Sequence, residues 1–93
     1  MARSRDAVDA APLLAVVADP VRWRILSGMS AAPRCVCVIQ DEVDISPSLL
    51  SYHLKVLREA GLVTAARRGR WIDYTLARDA HDRLAAALPT AGR

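Results

Sequence analysis

The chain is short of several things, and each shortage removes a class of protein. Across its 93 residues no apolar run reaches the length of a membrane-spanning helix. Its first residues, Met1-Ala2-Arg3-Ser4-Arg5-Asp6, lack the apolar stretch of a secretory leader, so a cytoplasmic protein is expected. Histidine occurs only as His53 and His81, and cysteine only as Cys35 and Cys37. No serine–histidine–aspartate grouping, glycine-rich phosphate loop or two-histidine metal motif is present, so the sequence reads as a non-enzyme. A thiol oxidoreductase would place Cys-x-x-Cys on an α/β scaffold, and the pair here is separated by one residue only. Repeats and linkers are also missing, and residues 1–93 suit a single domain. So small a domain buries a modest core, and many such chains gain stability by associating.

What is present is unevenly charged. The net charge is +3. Residues 46–76 carry Lys55, Arg58, Arg67, Arg68 and Arg70 against Glu59 and Asp73, whereas residues 1–45 are slightly acidic. A basic excess gathered in one segment is the footprint of a nucleic-acid surface; a merely solvated basic face is the commoner origin of a mild excess.

Residues 1–6 are expected to fray. Val8, Leu13, Leu14, Val16 and Val17 among alanines predict a largely buried helix over 7–18. Asp19-Pro20 reads as an N-cap and first helical residue, opening a second helix that ends near Met29 at Gly28, Ser30 and Pro33. Val36, Val38 and Ile39 predict a third helix from Cys35 to Glu42. Ser46-Pro47 opens a fourth, with Leu50, Leu54 and Leu57 on one face and Gly61 as its stop. Strands are predicted over 62–66 and 71–76, joined by Arg68-Gly69-Arg70, and a last helix over 77–88 carries Leu84 and Leu88. The expected fold is mainly α with a small β-hairpin wing: a winged helix-turn-helix, dimeric, with the helix-turn-helix in 35–60 and the wing in 62–76. Helices 7–18 and 77–88, outside that core, are the expected dimerisation elements.

In such a motif the second helix lies in the major groove. Its candidate DNA contacts are Ser46, Ser48, Ser51, Tyr52, His53 and Lys55, of which Ser48, Tyr52 and His53 could reach base edges. The wing offers Arg67, Arg68 and Arg70 to phosphates or an adjacent minor groove. Taken singly these residues say little: a serine at a helix start is usually a cap, and a lone histidine is more often packed than reading. The ordered combination carries the weight.

The segment Ser51-Tyr52-His53-Leu54-Lys55-Val56-Leu57-Arg58-Glu59-Ala60-Gly61-Leu62-Val63 resembles the recognition-helix signature of the ArsR/SmtB family of metal-sensing repressors. Residues 67–74 resemble that family's wing, and residues 19–26 its second helix. The resemblance spans about residues 13–77. It implies a homodimer that binds a palindromic operator on double-stranded DNA and leaves it when an inducer binds.

Cys35-Val36-Cys37 resembles the thiolate element of the arsenic-responsive and cadmium/lead-responsive members. On an ideal helix, residues two apart point about 200° away from each other. Holding one ion would then require the third helix to distort, and that distortion would be felt by the recognition helix. A disulfide across one residue is expected to be strained, which leaves the pair as ligands or redox groups. Trivalent arsenic or antimony, As(III) or Sb(III), takes three ligands; zinc or cadmium takes four. Two sulfurs suit the former better, with a third ligand from a small thiol, water or the other subunit, since Gln40 stands where some arsenic-responsive members have a third cysteine. Cd, Pb or Zn remains the alternative, as does thiol oxidation without a metal. Asp79-Ala80-His81 superficially fits half of the family's zinc site on the last helix, but no second histidine follows.

Overall fold

The computed structural model describes residues 13–29 and 32–88. Residues 13–18 are helical (α1); the remainder of the predicted first helix lies outside the described residues. Then come α2 (Pro20–Ser27), β1 (Arg34–Cys35), α3 (Val36–Val43), α4 (Pro47–Glu59), β2 (Val63–Arg68), β3 (Trp71–Leu76) and α5 (Ala80–Ala87). Among the described residues no helix is long and apolar enough to cross a membrane.

Local chemistry explains most boundaries. Asp19 caps α2 through Oδ1, which accepts from the Val21 N–H at 2.8 Å and the Arg22 N–H at 3.1 Å. The Ser46 hydroxyl accepts from the Leu49 N–H at 3.2 Å, and Pro47 fills the first position of α4. Gly61 takes φ +77°, which lets its N–H reach the Arg58 carbonyl and the Leu62 N–H reach the Leu57 carbonyl. These two bonds form a Schellman stop. Arg83 of α5 reinforces it, donating to the Gly61 and Ala60 carbonyls at 2.9 and 2.8 Å. A cation at a helix C-terminus is also favoured by the backbone dipole.

Leu50, Leu54 and Leu57 of α4 are fully buried against Leu62, Val63, Ile25, Ile39 and Tyr74. At about 25 cal/mol per Å² of apolar surface, each fully buried leucine contributes roughly 1.5–3 kcal/mol, so this stripe anchors the recognition helix to the rest of the domain.

The sheet differs from the predicted hairpin. It has three strands in the order β1-β3-β2, all antiparallel. Arg34 faces Tyr74 and Cys35 faces Asp73 across the β1·β3 pair. The expectation that Cys35 begins a helix is therefore corrected: it is extended, at φ −63° and ψ 140°, and α3 starts at Val36. The free edge of β3 claims the backbone of Arg34 and Cys35, a long-range pairing that local pattern does not reveal. The wing strand β2 runs to Arg68, which pairs with Trp71, so the turn is Gly69-Arg70 alone. Gly69, at φ +62°, occupies the first central position, where type II′ hairpins need glycine. The last helix starts at Ala80 rather than at residue 77.

Candidate nucleic-acid interface and thiol pair

Ser48, Ser51, Tyr52 and Lys55 are exposed and follow i, i+3, i+4, i+7 spacing, so they form one outward stripe on α4. Tyr52 is 56% exposed. Ser46 is exposed as well, but its hydroxyl is committed to the helix cap.

His53 does not join this stripe. It is only 6% exposed and sits on the inner side of α4. Arg22 Nη1 lies 3.1 Å from its Nδ1, and Arg22 Nε donates to the Val16 carbonyl at 2.7 Å. Arginine is a donor only, so Nδ1 accepts and Nε2 carries the proton. The reading of His53 as a base contact is corrected: it is a core residue that ties α4 to α2. Sequence reasoning missed Arg22 in this role, because nothing local links two residues on separate helices.

In the wing, Arg67, Arg68 and Arg70 are exposed. Arg68 is held by Asp73, whose carboxylate accepts from Nε at 2.7 Å and from Nη2 at 3.0 Å. The side chains are 62% and 13% exposed respectively. The hydrogen bonds from Arg68 hold the Asp73 carboxyl below the usual carboxylate range, and Asp73 in turn raises the Arg68 guanidinium. Arg70 lies over the exposed Trp71 ring, 5.7 Å from its centroid. Asp73 also escaped sequence reasoning; its isolation as the acid between arginines was the available signal.

The two cysteines straddle the β1–α3 junction. Cys35 is the N-cap of α3, its sulfur accepting from the Cys37 N–H at 3.3 Å, and Cys37 lies in the exposed first turn. The Cα atoms are 5.2 Å apart and the sulfurs are joined in a disulfide. The expectation that the side chains diverge fails here, because Cys35 is extended rather than helical. The extended backbone swings its side chain toward that of Cys37, so the reduced pair can present two sulfurs to one ligand without unwinding α3. Gln40 is committed elsewhere, donating from Nε2 to the Ile45 carbonyl in the turn between α3 and α4. Among the described residues no three of His, Cys, Asp and Glu gather as a metal-ligand group. His81 is exposed on α5, and Asp79 precedes that helix without a side-chain capping bond. A tetrahedral zinc or cadmium ion would find two protein ligands at the thiols, half its usual set; a three-coordinate metalloid would lack one.

A recognition helix braced on a leucine core, with an arginine-tipped hairpin beside it, defines a winged helix-turn-helix DNA-binding domain. Residues 19–65 match the model of the bacterial regulatory protein, arsR family. The transcriptional repressor SmtB of Mycobacterium tuberculosis is 42% identical over 74 residues, covering 78% of this chain and 55% of that protein. An arsenical resistance operon repressor of Bacillus subtilis is 43% identical over 61 residues, covering 64% of this chain and 58% of that protein. The crystal structure of NolR from Sinorhizobium fredii superposes with a TM-score of 0.76 at 30% identity, covering 90% of this chain and 85% of that one. The chain belongs to the ArsR family of helix-turn-helix regulators, and its relatives and fold are those of DNA-binding transcriptional regulators rather than enzymes. It spans about half the length of the first curated relatives it matches.

Proposed function

We propose that this protein is a cytoplasmic transcriptional repressor that binds operator DNA as a homodimer and is released when As(III) or Sb(III) binds Cys35 and Cys37. The observation that carries the reading is the placement of both thiols at the N-terminus of α3, the helix that a single tight turn joins to the recognition helix. The name of the Bacillus subtilis relative favours a metalloid, and the two-sulfur donor set favours it over zinc, cadmium or lead.

DNA contact falls to Ser48, Ser51, Tyr52 and Lys55 on α4 and to Arg67, Arg68 and Arg70 on the wing. The serine and tyrosine hydroxyls can reach base edges or phosphates, while Lys55 and the arginines supply charge. Dimerisation is assigned to α1 and α5. An apolar groove of about 590 Å³ runs between α1, α2 and α5, lined by Leu14, Trp23, Leu26, Leu84 and Leu88. Val17 is spent in the domain's own core. A second copy covering this groove would set two recognition helices about 34–36 Å apart, one turn of duplex.

In the release step, arsenous acid forms two As–S bonds and loses two As–O bonds. The two hydroxyls depart as water with the thiol protons, and the third stays on arsenic or yields to another thiol. A ligand on the Cys35 sulfur competes with its cap on α3, which shifts that helix against the turn leading into α4.

A second reading is favoured by the joining of the two sulfurs. A peroxide would oxidise the dithiol to the disulfide, taking two electrons and two protons and leaving as two waters. Operator occupancy, followed by fluorescence anisotropy for the parent, Cys35→Ser and Cys37→Ser, separates the two. With reductant present, arsenite is expected to release the parent and neither serine variant. Peroxide-driven release that arsenite does not reproduce would assign the pair to redox sensing. Arsenite-driven release surviving in both variants would remove the inducer site from these cysteines.

A further inference from the structure

The β1·β3 register places Cys35 directly opposite Asp73, and directly opposed residues of an antiparallel pair share a sheet face. On the other side of β3, Asp73 faces Ala66. Arg68 lies two residues beyond Ala66 on the same face, within diagonal reach of a long side chain. Asp73 therefore stands between the thiol pair and the wing arginine, opposite Cys35 in the β1·β3 register and with its carboxylate clamped on Arg68. β1 is two residues long and its last residue caps α3, so any rearrangement of the Cys35–Cys37 unit acts directly on this pairing.

We propose that Asp73 is the positioning residue that couples the Cys35–Cys37 pair to the wing, holding Arg68 for a DNA phosphate in one thiol state and losing that hold in the other. The proposal rests on the reading of the cysteine pair as the inducer site. The guanidinium has five N–H groups and gives two to Asp73, so the others stay free for a phosphate in an orientation the carboxylate fixes. When the reduced thiols take up a metalloid, the β1–α3 junction repacks and the Cys35–Asp73 register loosens; the disulfide-joined pair keeps both that register and the Asp73–Arg68 clamp. The carboxylate then shifts, and Arg68 leaves its phosphate. The wing thus answers the inducer separately from the recognition helix.

Two measurements test this on the full chain. The first is the Arg68 Nε–Hε resonance, without DNA, titrated with arsenite in the presence of a monothiol reductant. It is expected to move in the parent and to stay fixed in Cys35→Ser. The second is the slope of log K against log salt for operator binding, with and without inducer. In the parent the inducer is expected to lower the slope by about one unit per wing, the signature of one lost phosphate contact. Asp73→Asn and Arg68→Ala should each abolish that change, the double variant should behave like either single one, and Asp73→Glu should restore part of it. An Arg68 signal that ignores inducer while operator release proceeds would overturn the proposal and leave the thiol reading standing. So would an Asp73→Asn protein whose slope still changes as the parent's does. Loss of release in the parent itself would remove both.

Discussion

The guanidinium of Arg22 stands 3.1 Å from Nδ1 of His53, a contact that joins α2 to the inner side of the recognition helix in a protein with only two histidines. Removing Arg22 leaves a buried ring nitrogen without its donor, a loss of about 1–3 kcal/mol. Arg22→Ala and His53→Ala are both expected to lower the urea midpoint with an unchanged m-value. Operator base preference should survive in the folded fraction. A His53→Ala protein of parental stability with altered preference at one base pair would return His53 to the DNA face.

The proposed interface separates base reading, by Ser48 and Tyr52, from charge, by Lys55 and the wing arginines. Ser48→Ala and Tyr52→Phe are expected to relax preference at individual positions, by about 1–3 kcal/mol wherever a base contact is lost. Lys55→Ala and Arg70→Ala should weaken all sequences alike and lower the salt slope by about one unit per contact. Binding to a set of single-base operator variants at several salt concentrations distinguishes the two behaviours.

The C-terminal stop of α4 is sensitive to one methyl group. A Cβ on Gly61 would meet the left-handed backbone at φ +77° and would stand 2.7 Å from Arg83 Nη1. Gly61→Ala is expected to cost about 1–2 kcal/mol from the backbone alone. Arg83→Ala removes the collision and two carbonyl bonds but leaves the φ penalty. Thermal unfolding of both single variants and the double variant resolves the parts, and a neutral Gly61→Ala would contradict the Schellman stop.

The Arg68–Asp73 pair gives wing stability a pH dependence. Because the hydrogen bonds from Arg68 depress the folded-state pKa of Asp73, the pairing is fully present above the ordinary carboxylate range. It is lost as pH falls through the depressed folded value; Arg68 stays charged throughout. A carboxyl-detected NMR titration should find Asp73 titrating below the ordinary carboxylates, and Arg68→Ala should bring it back. An Asp73 that titrates normally in the parent would mean that the clamp is not formed in solution.

Much of the fold was legible because its signals are local. Caps such as Asp19-Pro20 and Ser46-Pro47 act within three residues, and Gly61 and Gly69 mark backbone conformations that other residues avoid. The leucine stripe of α4 shows itself by spacing. The candidate site was legible to the same extent: the outward positions 48, 51, 52 and 55, the arginines of the wing and the cysteine pair were all in view. The third strand was not, since its two residues are extended only because β3 offers an edge to them. With that strand went the geometry of the thiols, because Cys35 was read as helical and its sulfur as turned away from Cys37.

The sequence by itself determined the helices and the wing hairpin, the family and the residue types available for DNA and for soft ligands, since each depends on neighbours within a few positions or on a contiguous motif. Only the tertiary structure decided which of those residues are free to act. Packing against Arg22 withdrew His53 into the core, and the β1·β3 register set Cys35 opposite Asp73 while Asp73 took hold of Arg68. The first two of these join residues more than thirty positions apart, which only the tertiary fold brings together, whereas Arg68 and Asp73 meet across their own hairpin.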